Sequence, residues 1–183
     1  MSSALGDETA ALLQQLIRQA CVNDGTPTSG QEMRNVAVLE EFFAGTALDY
    51  EVVEPAPGRG NLIARIRGTN PDAPSVALVG HLDVVPATEP ELWQHNPFGG
   101  ELIDGVIWGR GAIDMLGLTA AFAVVTKHIA DSGISLAGDL IFAAVADEEA
   151  GGVYGAGWLA AHRPELITAD YSLTENGGIV LSD

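Results

Sequence analysis

Apolar residues first recur at helical spacing, where Ala11, Leu12, Leu16 and Ile17 form one stripe behind Asp7, a residue able to cap the helix start. Asn23, Asp24, Gly25 and Pro27 break that stripe. Ser29 followed three residues later by Glu32 has the spacing of a capping box, and Val36, Leu39, Phe42 and Phe43 carry a second helix to about Phe43, with Gly45 ending it. The period then shortens. Tyr50 to Val53 and Leu62 to Ile66 are predicted strands flanking the turn PAPGRG, and Leu62, Ala64 and Ile66 alternate with Ile63, Arg65 and Arg67, so one face is expected to be partly exposed. Val76 to Val79 is a continuous apolar run that stops at Gly80, the pattern of a buried strand.

Asp104-Gly105 between Leu102-Ile103 and Val106-Ile107 predicts a tight hairpin. An alanine-rich helix follows from about Leu116 to Ile129, closed by Ser132-Gly133. Asp139 to Ala146 predicts a second buried strand, Gly157 to His162 a short helix, and Tyr171 to Leu173 a third short strand near a sheet edge. Strands alternating with helices imply an α/β fold with a mainly parallel sheet and helices on both faces.

The three buried strands end alike. The first delivers His81 and Asp83, the second Asp147, Glu148 and Glu149, and the third Glu175 with Asn176-Gly177-Gly178, while Asp114 stands where a glycine turn opens a helix. In open α/β sheets the working groups collect beyond the carboxyl ends of strands. Taken singly, His81 and Asp83 equally describe a solvated loop histidine beside a turn aspartate; repetition at each strand favours a site. Asp83, Asp114, Glu148, Glu149 and Glu175 would repel one another unless cations neutralised them. Mixed imidazole and carboxylate donors suit zinc better than the all-oxygen shells of calcium or magnesium. Adjacent Glu148 and Glu149 allow one to hold metal and the other to accept a proton.

Composition narrows the partners. Eight basic against 25 acidic residues give a net charge of −17, a surface that repels nucleic acid and anionic lipid. Cys21 is the only cysteine, so no internal disulfide forms. No stretch has the length of a membrane span and the first residues lack a signal-like pattern, so a cytoplasmic location is expected.

GHLDVVP (80–86), Trp93 with NPF (96–98), DGVIWGRGAIDM (104–115), ADEEAGG (146–152) and TENGG (174–178) resemble, in order, the motifs of the two-zinc metallopeptidase family that includes aminoacylase, acetylornithine deacetylase, succinyl-diaminopimelate desuccinylase and glutamate carboxypeptidase. The resemblance implies a zinc-dependent exopeptidase-like catalytic domain hydrolysing amide bonds in small N-acyl amino acids or short peptides. It implies two Zn2+, replaceable by Co2+ or Mn2+, with His81, Asp114, Glu149 and Glu175 as ligands. By the same resemblance Asp83 orients His81, Asp114 bridges the metals and precedes a cis peptide bond, and Glu148 is the general base.

Two departures qualify it. Leu116 stands where the family has lysine, and residues 1–183 correspond to the N-terminal part of the catalytic domain, without the family's lid and dimerisation domain or its C-terminal segment with a last histidine ligand. His95, His128 and His162 match no ligand position. The alternatives are a non-catalytic metal-binding fragment and a nucleotide-binding domain, the latter because Gly155 to Ala160 fits G-x-G-x-x-A.

Overall fold

In the computed structural model, which describes residues 4–175, the first apolar stripe becomes α1 (Ala4–Arg18), burying Leu12, Leu13, Leu16 and Ile17. The helix begins ahead of Asp7, which therefore sits in the first turn rather than at the cap, where its charge still complements the exposed N–H groups. Next comes α2 (Met33–Phe43), with Val36, Leu39 and Phe43 buried. Its expected capping box does not form. Glu32 is fully buried against Arg59 (Oε2–Nε 2.9 Å), and the Ser29 hydroxyl is engaged with Thr26 O and Asn23 Oδ1. An ion pair with a buried guanidinium outcompetes a local bond to a helix-end amide.

Strands β1 (Asp49–Val53) and β2 (Asn61–Ile66) pair antiparallel, as the short PAPGRG turn demands. After β3 (Val76–His81) the chain makes the two-stranded hairpin β4 (Glu101–Ile103) and β5 (Val106–Trp108). Asp104 (φ 51°) and Gly105 (φ 82°) both take the left-handed conformation that a two-residue hairpin turn requires. Helix α3 (Leu116–Ser132) ends on left-handed Gly133, and β6 (Leu140–Val145), α4 (Ala156–His162), α5 (Pro164–Ile167) and β7 (Tyr171–Leu173) complete the fold.

The five-stranded sheet has the order β1-β2-β6-β3-β7. It is mixed: β6–β3 and β3–β7 are parallel, whereas β1–β2 and β2–β6 are antiparallel. Helices cover both faces. On one, α1, α2 and α3 enclose a core containing Leu16, Leu39, Phe43, Leu62, Leu78 and Phe142; on the other, Ile63, Ala77, Ile141, Ala143 and Val145 meet Leu159 of α4 and Leu166 of α5. The alternation in β6 is why both cores exist, since Phe142 and Ala144 face one layer and Ile141, Ala143 and Val145 the other. Strand β7, exposed at all three residues, forms one edge of the sheet and β1 the other. Leu116, the departure from the family lysine, is buried in the first core.

The β3–β6 register decides where functional groups can gather: Val76 pairs with Leu140 and His81 with Val145, so the two strands finish at the same level. Among the described residues no helix is long and apolar enough to cross a membrane.

Phe142 is fully buried and meets Phe43 edge-on at a centroid distance of 5.9 Å. Phe142→Ala is expected to lower unfolding stability by about 3–5 kcal/mol, read as a reduced midpoint in urea; an unchanged midpoint would mean that this contact does not support the core.

Candidate metal centre

Gly80 lets α3 approach the end of β3, since a Cβ there would lie 2.4 Å from Thr119 Oγ1. The buried Thr119 hydroxyl donates to His81 O at 3.0 Å, fixing the strand end against the helix. His81 is 1% exposed. Its Nδ1 lies 2.9 Å from the main-chain carbonyl of Asp83, an atom that can only accept, so Nδ1 carries a proton and Nε2 is the atom turned toward the carboxylates. Nε2 is 3.1 Å from Asp114 Oδ1 and 3.8 Å from an oxygen of each of Glu148 and Glu175.

Each carboxylate arrives from a separate piece of local structure. Asp114 precedes α3 after the Gly109–Ile113 turn, where Leu116 N bonds Gly111 O at 2.9 Å, and its peptide bond to Met115 is cis. Glu148 and Glu149 occupy a single 3-10 turn directly after β6, entered through left-handed Asp147 (φ 67°). Glu175 follows β7 and is the last described residue. Asn176, Gly177 and Gly178 of the TENGG motif lie outside the described residues.

Asp83 differs in detail from the expected geometry. Its main-chain carbonyl takes the His81 ring N–H, while its carboxylate, 3.6 Å from that nitrogen, accepts the amides of Glu148 and Glu149 at 3.1 Å each. One buried side chain thus anchors the turn that carries both glutamates. Sequence pattern misses the layer behind it: Asn23, Arg59 and Asp147 are all buried, and Asn23 bonds both Asp83 and Asp147 while Arg59 pairs with Asp147 and Glu32. No local signal marks them, because each also suits a turn or cap.

Among the described residues, potential donor atoms form two groups, His81 with Asp114 and Glu149, and His81 with Glu148 and Glu175; within each, the atoms lie no more than 4.8 Å apart. The electrostatics show the crowding. Burial, a hydrogen bond shared with Asp114 and the neighbouring negative charges push Glu175 up to about 7. Burial and the charges of Asp114 and Asp83 also raise Glu149. Burial disfavours protonated His81, but the carboxylates of Asp83, Asp114 and Glu148 outweigh it and raise its pKa. Burial works against the Asp114 charge too, yet the hydrogen bonds from Glu175 and His81 prevail and lower its pKa. Cations would neutralise these crowded charges, and imidazole with carboxylates is a donor set that fits a zinc-like ion.

The other histidines are occupied elsewhere: His95 packs on Trp108, His128 pairs with Glu8, and His162 stacks on Trp158. Cys21 is buried, and desolvation pushes its thiol up to about 12, which makes it an unreactive core residue. The Gly155–Ala160 pattern lacks the strand-to-glycine junction that dinucleotide binding needs, because β6 ends at Val145 and the acidic turn intervenes before α4.

Residues 77–180 match the family described as peptidase family M20/M25/M40. The chain belongs to that family. A succinyl-diaminopimelate desuccinylase from Methylobacterium sp. (strain 4-46) is 40% identical over 149 residues, covering 79% of this chain and 36% of the relative. An M20 family metallo-carboxypeptidase from Sulfolobus solfataricus has the same fold at a TM-score of 0.75 and 21% identity, over 94% of this chain and 38% of that one. Human carnosine dipeptidase 1 gives a TM-score of 0.73 at 24% identity, over 91% and 38%. The chain thus spans little more than a third of the length of these relatives.

Zinc titrated into the metal-free chain should raise its unfolding midpoint, since a ligand that binds only the folded state stabilises it. His81→Ala should abolish most of that rise. An equal rise in both proteins, followed by calorimetry, would remove His81 from the ligand set.

Proposed function

We propose that this chain supplies the N-terminal part of the catalytic domain of a two-metal amide hydrolase acting on small N-acyl amino acids or short peptides. The observation that carries the reading is the convergence of His81 Nε2 with Asp114, Glu148 and Glu175 at the ends of neighbouring elements. Family membership supports it, as do the amide-hydrolysing activities in the names of the relatives.

In this reading His81, Asp114, Glu149 and Glu175 would hold two divalent ions. Zinc is assigned from the mixed donor set, Co2+ and Mn2+ being workable replacements. The ions supply Lewis acidity and neutralise the clustered carboxylates. Glu148 is the general base. Its half-exposed carboxylate lines a cavity of about 240 Å3 that also touches His81, Met115, Thr174 and Glu175. There it can take a proton from the attacking water as the new C–O bond forms, then deliver that proton to the departing amide nitrogen as the C–N bond breaks. Asp83 holds the turn that aims Glu148 and, through its carbonyl, keeps His81 Nε2 facing the site.

The two metal positions are unequally furnished. If His81 serves the ion held with Glu175, then Asp114 and Glu149 would hold the other without a second imidazole from the described residues. The 183 residues alone are therefore expected to bind metal without measurable turnover, activity requiring the remaining length that the relatives have. Metal-dependent hydrolysis by this chain alone, lost in Glu148→Gln, would contradict that expectation.

The adjacent glutamates are separable by substitution. In a protein of the relatives' full length carrying these residues, Glu148→Gln should keep its metal and lose turnover by a factor of ~10² or more. Glu149→Gln should lose metal as well. Elemental analysis beside a desuccinylase or dipeptidase assay distinguishes them, and metal loss in the Glu148 variant alone would reverse the two roles.

A further inference from the structure

Metal binding and proton transfer leave the buried polar layer beneath the acidic turn without a role. Asn23 follows α1, is 3% exposed, and donates from one nitrogen to carboxylates on two different strand ends: Asp83 Oδ2 at 2.7 Å and Asp147 Oδ1 at 3.1 Å. Its own Oδ1 accepts from Gly25 N and from the Ser29 hydroxyl, both at 3.1 Å, so the amide is oriented with its nitrogen toward the two acids. The backbone is fixed too, with Asn23 N donating to Val84 O at 2.8 Å and Val84 N to Cys21 O at 3.0 Å.

Each of the bridged acids governs the turn after β6. Asp83 accepts the Glu148 and Glu149 amides, and Asp147 takes the Tyr154 amide at 3.1 Å together with the Arg59 guanidinium. We propose that Asn23 is a positioning residue for the Glu148–Glu149 turn, setting the separation of the Asp83 and Asp147 carboxylates and hence the reach of both glutamates toward His81. The proposal rests on the assignment of His81 and Glu149 as metal ligands. Without the bridging amide, the buried Asp83 and Asp147 carboxylates would lose the donor they share, and only the Arg59 guanidinium beside Asp147 would offset their mutual repulsion. The strand ends would then relax apart and carry the turn with them.

The test uses the 183-residue chain without metal and with Co2+ as the probe. Asn23→Ala should weaken Co2+ binding, followed by visible absorption, by ~10–100-fold, the usual scale for losing an outer hydrogen bond to a metal site. In the metal-free chain, amide hydrogen exchange at Glu148 and Glu149 should quicken by about 10-fold or more, while Phe142 and Ala143 within β6 keep their protection. Asn23→Ser, whose hydroxyl can donate only one hydrogen bond, should fall between the two. Wild-type Co2+ affinity and wild-type exchange in either folded variant would overturn the proposal. So would exchange that rises evenly along β6, or failure of both variants to fold, because Asn23 would then serve the fold at large. If His81→Ala leaves Co2+ affinity unchanged, it is the ligand assignment that fails, and the exchange measurement still decides whether Asn23 holds the turn.

Discussion

Arg59, 1% exposed, lies between two buried carboxylates, those of Glu32 and Asp147, and the acidic end of the molecule depends on that ion triad. Taking a guanidinium and two carboxylates out of water is expensive: burial pushes the Glu32 carboxyl up to about 7 despite the Arg59 guanidinium beside it, and further hydrogen bonds offset part of that cost. Ser29 O accepts from Arg59, Tyr154 N and Asn23 donate to Asp147, and the Asp147 amide donates to Glu32. Removing Arg59 would leave two buried carboxylates without their counter-charge, a loss of roughly 3–5 kcal/mol.

The triad links regions far apart in the chain. Glu32 stands just ahead of α2, Arg59 ends the turn before β2, and Asp147 leaves β6. Together they hold the entrance of the 3-10 turn while Asp83, one strand away, holds its amides. The turn is therefore fixed from both sides before any donor reaches the cavity. Behind it the ring of His81 is locked by the Asp83 carbonyl and its strand end by Thr119.

This rigidity has an electrostatic consequence. Carboxylates free to swing would separate and remain ionised. Here Asp114, Glu148, Glu149 and Glu175 are delivered from short segments around one imidazole, and burial, with the neighbouring carboxylates, raises the pKa values of Glu149 and Glu175. A fold that spends so much buried polar structure on bringing like charges together is organised for a cation.

Much of this was legible in the sequence because it is encoded locally. The unbroken apolar runs of β3 and β6, the Asp104-Gly105 turn and the periodic faces of α1 and α2 depend on neighbouring residues alone. So does the placement of His81 at a strand end and of Glu148, Glu149 and Glu175 just beyond strand ends. Asn23, Glu32 and Arg59 were not legible as a network, since their local patterns are those of a break, a cap and a turn, while the bonds that define them reach across the chain: Asn23 to Asp83 spans 60 positions and to Asp147 124. Nor could local pattern reveal that β2 pairs antiparallel with β6. The sequence by itself determined which elements form and which chemistry stands at their ends. Only the tertiary structure decided their register and the buried charges that hold them there, because a long-range partner leaves no trace in the periodicity of the residues around it.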